Sequence, residues 1–98
     1  MPTFQDGSIH TAKVHTTNKG SQQVTVGVIL YAGYNGGDPY ESQGTITQIL
    51  NPGQTIDVSW ADYQFWTIYS PYTYRGEVWT SDWETLITSK RFEDVLVV

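Results

Sequence analysis

Between Gln23 and Tyr31 the chain alternates: Val24, Val26, Val28 and Leu30 take every second position, with Thr25, Gly27 and Ile29 between them. An extended strand points successive side chains to opposite faces, so this run predicts a β-strand with its aliphatic side chains on one face. Ile29 and Tyr31 predict some cover on the other face near the strand's end. Apolar residues do not recur at three-and-four spacing over any long window, and no long helix is expected.

Turn residues divide the remainder into short strands. A first strand is predicted over residues 8–16, with Ala12 and Val14 inward, and Asn18-Lys19-Gly20 is read as closing a hairpin into residues 23–31. The glycine-rich loop Gly33-Tyr34-Asn35-Gly36-Gly37-Asp38-Pro39 follows, then strands over 44–50 and 54–60 separated by Asn51-Pro52-Gly53. Pro presets φ for the second position of a turn and Gly accepts positive φ at the third, which makes this tripeptide a specific signal. Strands over 64–69, 73–80, 84–89 and 92–98 complete the pattern, with a hairpin around Thr80-Ser81-Asp82. Seven or eight short strands within 98 residues predict an all-β sandwich, occupying residues 1–98 as one domain.

Composition agrees with a folded chain and narrows its chemistry. Four Trp, seven Tyr and three Phe make 14% aromatics, a proportion disordered chains lack. Only 15% of residues are charged, against about 25% in typical domains. Neutral polar residues replace them, as expected of an extracellular, virion or other crowded-assembly protein. The net charge of −5 and the scattered Lys13, Lys19, Arg75, Lys90 and Arg91 provide no basic stripe to follow a phosphate backbone, so no nucleic-acid partner is expected. The absence of cysteine removes disulfides and thiolate sites. No apolar run reaches the length of a membrane span and no secretory leader is visible, so no membrane insertion is expected and the compartment stays open.

Two stretches carry a resemblance. Val14-His15-Thr16-Thr17-Asn18-Lys19-Gly20, followed by Val24-Thr25-Val26, resembles the opening of bacterial immunoglobulin-like modules of the CARDB-type cell-adhesion-related class. Leu50-Asn51-Pro52-Gly53, leading to Val58-Ser59-Trp60, is similar to the turn that feeds a central strand in those modules and in fibronectin type III relatives. The resemblance covers about a third of the chain and implies a single Ig-like antiparallel sandwich with no catalytic residues.

Enzymatic readings find little to build on. His10 and His15 are separated by an odd number of positions, so one regular strand points them to opposite faces, and no metal or cofactor is expected. No G-x-S-x-G elbow is present, and the glycine-rich loop does not lead into a helix. Its Asn35, Asp38 and Glu41 offer oxygen ligands but lack the alternate-position acids of an EF-hand loop. Asp82 and Glu84 flank Trp83, and are read as solvated strand-end acids.

The aromatics are the conspicuous surplus: nine of them fall between Trp60 and Trp83. They are read as covering a second face, forming a protein or self-association interface, or providing a sugar-stacking platform. Tyr34, Tyr40, Tyr72 and Trp83 lie in loops or at strand ends, and are expected to be exposed and to carry any ligand contact. The expected function is that of a non-catalytic structural or protein-interaction module, with glycan binding as the alternative. Residues 92–98, ending on an apolar run, are expected to form a sticky edge unless paired.

Overall fold

The alternating valines form the centre of the larger of two layers. The structure, a computed structural model, describes residues 2–98. The strands are β1 (Thr3–Phe4), β2 (Ile9–His10), β3 (Lys13–Thr17), β4 (Val24–Gly33), β5 (Glu41–Leu50), β6 (Thr55–Ser59), β7 (Tyr63–Gln64), β8 (Thr73–Thr80), β9 (Leu86–Arg91) and β10 (Leu96–Val97). One antiparallel sheet has the order β5-β4-β8-β9. Facing it, β3 pairs antiparallel with β6, and β2 with β7 further along the same ribbon. The fold is therefore an all-β sandwich. Among the described residues, no helix is long and apolar enough to cross a membrane.

The inward side chains of the alternating strand, Val26, Val28 and Leu30, meet Val14 of β3, Val58 of β6 and Val78 of β8 in an aliphatic core. Leu50, at the end of β5, is also fully enclosed there. A second cluster lies at one end of the sandwich, around Phe65, Tyr72, Val95 and Val97. The molecule is elongated, with extents of 45 × 22 × 20 Å, and Tyr74 packs against both clusters.

Three expectations change. The reversal at Asn18-Lys19-Gly20 does not close a hairpin, because β3 pairs with β6 and β4 with β5 and β8. Its Asn18 side chain is buried and donates to Gln22 O (2.8 Å) and Leu50 O (3.0 Å), which holds the chain as an arch between layers. Asn51-Pro52-Gly53 does form its turn, with Gly53 at φ +77° and Gln54 N donating to Asn51 O (3.0 Å), but it too carries the chain across to the other layer.

The predicted strand over 64–69 shrinks to β7 followed by a 3₁₀ turn, Thr67–Tyr69. Two backbone donors of this segment find side-chain partners instead of a neighbouring strand. Trp66 N donates to the Tyr72 hydroxyl (3.0 Å) and Thr67 N to Asp6 Oδ1 (2.8 Å).

The predicted strand over 92–98 keeps only β10, which pairs in parallel with β1, while Val95 bridges Tyr72 in antiparallel fashion. Val95 and Val97 are buried, so this segment is paired within the fold and does not form the sticky edge. The β8–β9 hairpin forms as expected, with Trp83 at φ +62° in its turn.

Candidate functional site

Each layer carries a β-bulge, and the two bulges face each other. In the smaller layer, His10 opposes Tyr63 and Lys13 opposes Ser59, so Thr11 and Ala12 confront the three residues Trp60, Ala61 and Asp62. In the larger sheet, Ile29 opposes Thr45 and Tyr31 opposes Ser42, so Leu30 confronts both Gln43 and Gly44. Gly44 takes φ +120°, a region that L side chains avoid and glycine tolerates. An extra residue bends its strand and re-aims its side chains. Trp60 is swung across to the other layer, where its indole N–H donates to Gly44 O (3.3 Å).

Between the bulges the layers part around a recess of about 180 Å³. Ala12, Leu30, Ala32 and Phe65 supply its apolar wall. Its polar residues are Tyr34, Tyr63, Tyr74, Gln43, Asp62 and His10, with the fully enclosed Tyr72 behind them. No lysine or arginine lines it. A wider groove of about 600 Å³ shares Leu30, Phe65 and Tyr74 but is rimmed by Lys13, Lys90 and Arg91, so the two openings differ in electrostatic character.

Burial is the largest influence on the tyrosines of the recess and raises all three of those that shift. Tyr34 is pushed above the ordinary phenol range by burial, then by the Glu41 carboxylate and the Tyr63 hydroxyl beside it. Tyr74 is raised by burial and by the neighbouring Tyr63, Tyr72 and Tyr34. Tyr72 is raised by burial, with Trp66 N–H partly offsetting it. All three are neutral hydroxyls at neutral pH, able to donate and accept. The Tyr74 hydroxyl makes no hydrogen bond to the described residues.

The four residues expected to bear ligand contacts separate. Tyr34 and Tyr72 come together, their rings 5.6 Å apart in an edge-on arrangement. Tyr72 is not exposed, however. It is 0% accessible, because the rings of Tyr63, Phe65 and Tyr69 also pack around it. Tyr40 stands alone in solvent at 69% accessibility. Trp83 is half-buried on the outer face of the larger sheet, where a Cβ at Gly27 would fall 2.4 Å from its ring. No protein-family model, curated protein or solved structure matches the chain.

The outer face of that sheet holds a second polar arrangement. Glu77, only 9% accessible, accepts from Arg75 Nε (3.1 Å) and Trp79 Nε1 (3.0 Å), and the Arg75 guanidinium lies 4.8 Å from the centre of the Tyr31 ring. Every partner here is satisfied within the protein, so the group reads as a structural clasp across β4 and β8.

Neither histidine meets the partners that nucleophilic catalysis needs. His10 lies 2.9 Å from the Ser8 hydroxyl, which is itself tied to Gln5 O (2.7 Å). Its ring stacks on Phe4 at 3.6 Å. His15 contacts Asp57 on the exposed face of the smaller layer. Among the described residues, no group of three or more His, Asp or Glu side chains is placed to hold a metal ion.

Gln43, Trp60, Asp62, Tyr63 and Tyr74 belong to the recess and were not singled out by sequence as ligand contacts. Signals for them existed. Gly44 interrupts a strand pattern, and Ala61-Asp62 ends the alternation of Ile56, Val58 and Trp60, both of which mark bulges.

Proposed function

We propose that this chain is a non-catalytic, Ig-like interaction module that assembles by extending its larger sheet with the β5 strand of a second copy. The observation that supports this most directly is the outer half of β5. Strand β5 is an edge of the sheet, and its first half is guarded by Glu41, the Gly44 bulge and the Trp60 indole. Residues 45–50, Thr-Ile-Thr-Gln-Ile-Leu, carry no charge, proline or bulge. An unguarded edge of this kind presents free backbone groups to another strand. The opposite edge, β9, ends in Lys90 and Arg91, a common protection against such pairing.

The pattern is self-complementary under a two-fold axis at Thr47. Thr45 then faces Ile49 on the outer side, and Ile46 faces Gln48 on the core side, so no like charges meet. Copies carrying −5 each repel overall, and a neutral strand is where they approach at least cost. Ile49, 59% accessible, loses exposure on pairing.

Sedimentation of the wild type across a concentration series tests the reading. The wild type is expected to form a dimer, and Thr47→Lys to remain monomeric because two ammonium groups would be opposed. Thr47→Glu is expected to be monomeric alone and to pair with Thr47→Lys when mixed. A wild type that stays monomeric throughout, or a dimer indifferent to Thr47→Lys, overturns it.

A further inference from the structure

The recess between the two bulges lies outside the strand-pairing surface and has its own chemistry. We infer that it is a binding site for one neutral sugar ring, held in the gap that Gln43-Gly44 and Trp60–Asp62 open between the layers. Three features independent of the edge point this way.

The first is construction. Two bulges, one in each layer, meet at the same level and are tied by the Trp60–Gly44 hydrogen bond. Bulges occur preferentially beside functional sites, where they re-aim side chains. Here they hold the layers apart where close packing would otherwise shut the space.

The second is the polar complement. Tyrosine hydroxyls that stay neutral donate and accept in turn, as sugar hydroxyls do. The Tyr74 hydroxyl has no hydrogen-bond partner among the described residues and is not sealed from solvent, so it is open to an incoming sugar hydroxyl. The Gln43 amide and the Asp62 carboxylate add further donors and acceptors at the mouth. Ala12, Trp60 and Ala61, the accessible apolar residues of the lining, suit the C–H face of a pyranose.

The third is what the lining excludes. With no lysine or arginine, it offers nothing to a phosphate or carboxylate. Asp62, which accepts from the Thr11 hydroxyl, is the one acid among the described lining residues, too few for a metal ion. At about 180 Å³ it is smaller than the roughly 300–1,000 Å³ of pockets for drug-sized ligands, which limits it to a single ring. This site uses Tyr34 and Tyr74 and not the exposed Tyr40 or the outer-face Trp83, and it stands or falls independently of dimer formation.

The test is a titration of the ¹⁵N-labelled full chain with glucose, galactose, mannose and N-acetylglucosamine, followed by amide and indole NMR shifts. At least one sugar is expected to give saturable shifts confined to Trp60 Nε1–H, Gln43, Ala61, Asp62 and Tyr63, with an affinity in the millimolar range (about 1 mM) typical of small sites. Tyr74→Phe keeps the ring and removes the hydroxyl, and is expected to weaken binding by about tenfold. Gln43→Ala, on the exposed edge strand, is expected to do the same and serves if Tyr74→Phe does not fold. Tyr40→Phe should leave the affinity unchanged. No saturable shift with any of the four sugars, shifts centred on Trp83 or Tyr40, or saturation by choline chloride in place of a sugar overturns the assignment.

Discussion

The two ends of the sandwich interior are held in different ways. The aliphatic half lies between the longer strands, and its side chains come from positions spaced by two: Val26, Val28 and Leu30 against Val14 and Val58. The aromatic half is enclosed by two-residue strands, a 3₁₀ turn and loops, and is joined through rings and side-chain hydrogen bonds. Tyr72 is its hub, with ring centroids of Phe65, Tyr34 and Tyr63 at 4.8, 5.6 and 5.9 Å. Where strands are too short to specify a structure, a few large side chains with polar tips perform the specification instead.

The comparison breaks most readily at the hub. Tyr72→Ala removes a fully enclosed ring, together with the acceptor for Trp66 N, and is expected to cost about 3–5 kcal/mol in urea unfolding. Hydrogen exchange should show the 65–71 segment losing protection even under conditions where the chain stays folded. Leu50→Ala in the aliphatic half is expected to cost about 2–4 kcal/mol, with its effect spread over the whole transition, because both adjoining ladders remain intact. If Leu50→Ala loosens 65–71 as much as Tyr72→Ala does, the two halves are one cooperative unit.

Gly27→Ala touches neither half from within. Its new Cβ would meet the Trp83 ring, so the ring must leave the outer face, at a cost of about 1–3 kcal/mol. A red shift in tryptophan emission without loss of sheet signal by circular dichroism is the expected readout.

The mildest perturbation is alkali. Burial raises the folded-state pKa values of Tyr34, Tyr72 and Tyr74 above the ordinary phenol value of about 10. The folded state therefore holds their protons more tightly than the unfolded state. The stability they contribute is fully present below pH 10 and is lost as pH rises from there through their folded-state values. Below pH 10 all three are protonated in both states, so between neutral pH and pH 10 thermal unfolding should show no slope from these tyrosines. Above it the slope should flatten in Tyr74→Phe.

The sandwich was legible wherever alternation and turn chemistry acted locally. Val24 to Leu30 could be read as a strand because period two admits no other regular structure, and Asn51-Pro52-Gly53 could be read as a turn because of the φ values it permits. Which layer a strand joins was not legible. A reversal at Asn18-Lys19-Gly20 has the same residues whether the chain returns beside itself or crosses over, and the choice rests on the Asn18 amide reaching Leu50, far along the chain. Residues 64–69 have strong strand propensity, yet hydrogen bonds donated by the Trp66 and Thr67 backbone to the Tyr72 hydroxyl and Asp6 carboxylate impose a turn. The recess was hidden for a similar reason. Tyr34, Tyr63 and Tyr74 are distant in sequence, and only the facing of two bulges, each with a modest signal in Gly44 or Ala61, brings them to one place.

The parallel pairing of β1 with β10 has a mechanical consequence. Both strands run the same way, joined by Leu96 N to Pro2 O (3.0 Å), Val98 N to Phe4 O (2.9 Å) and Asp6 N to Val98 O (2.8 Å). Tension applied at the two ends of the described chain slides these strands past each other instead of peeling them open one bond at a time. All three bonds then bear load together, and the aromatic end of the sandwich becomes the clamp through which force enters the molecule.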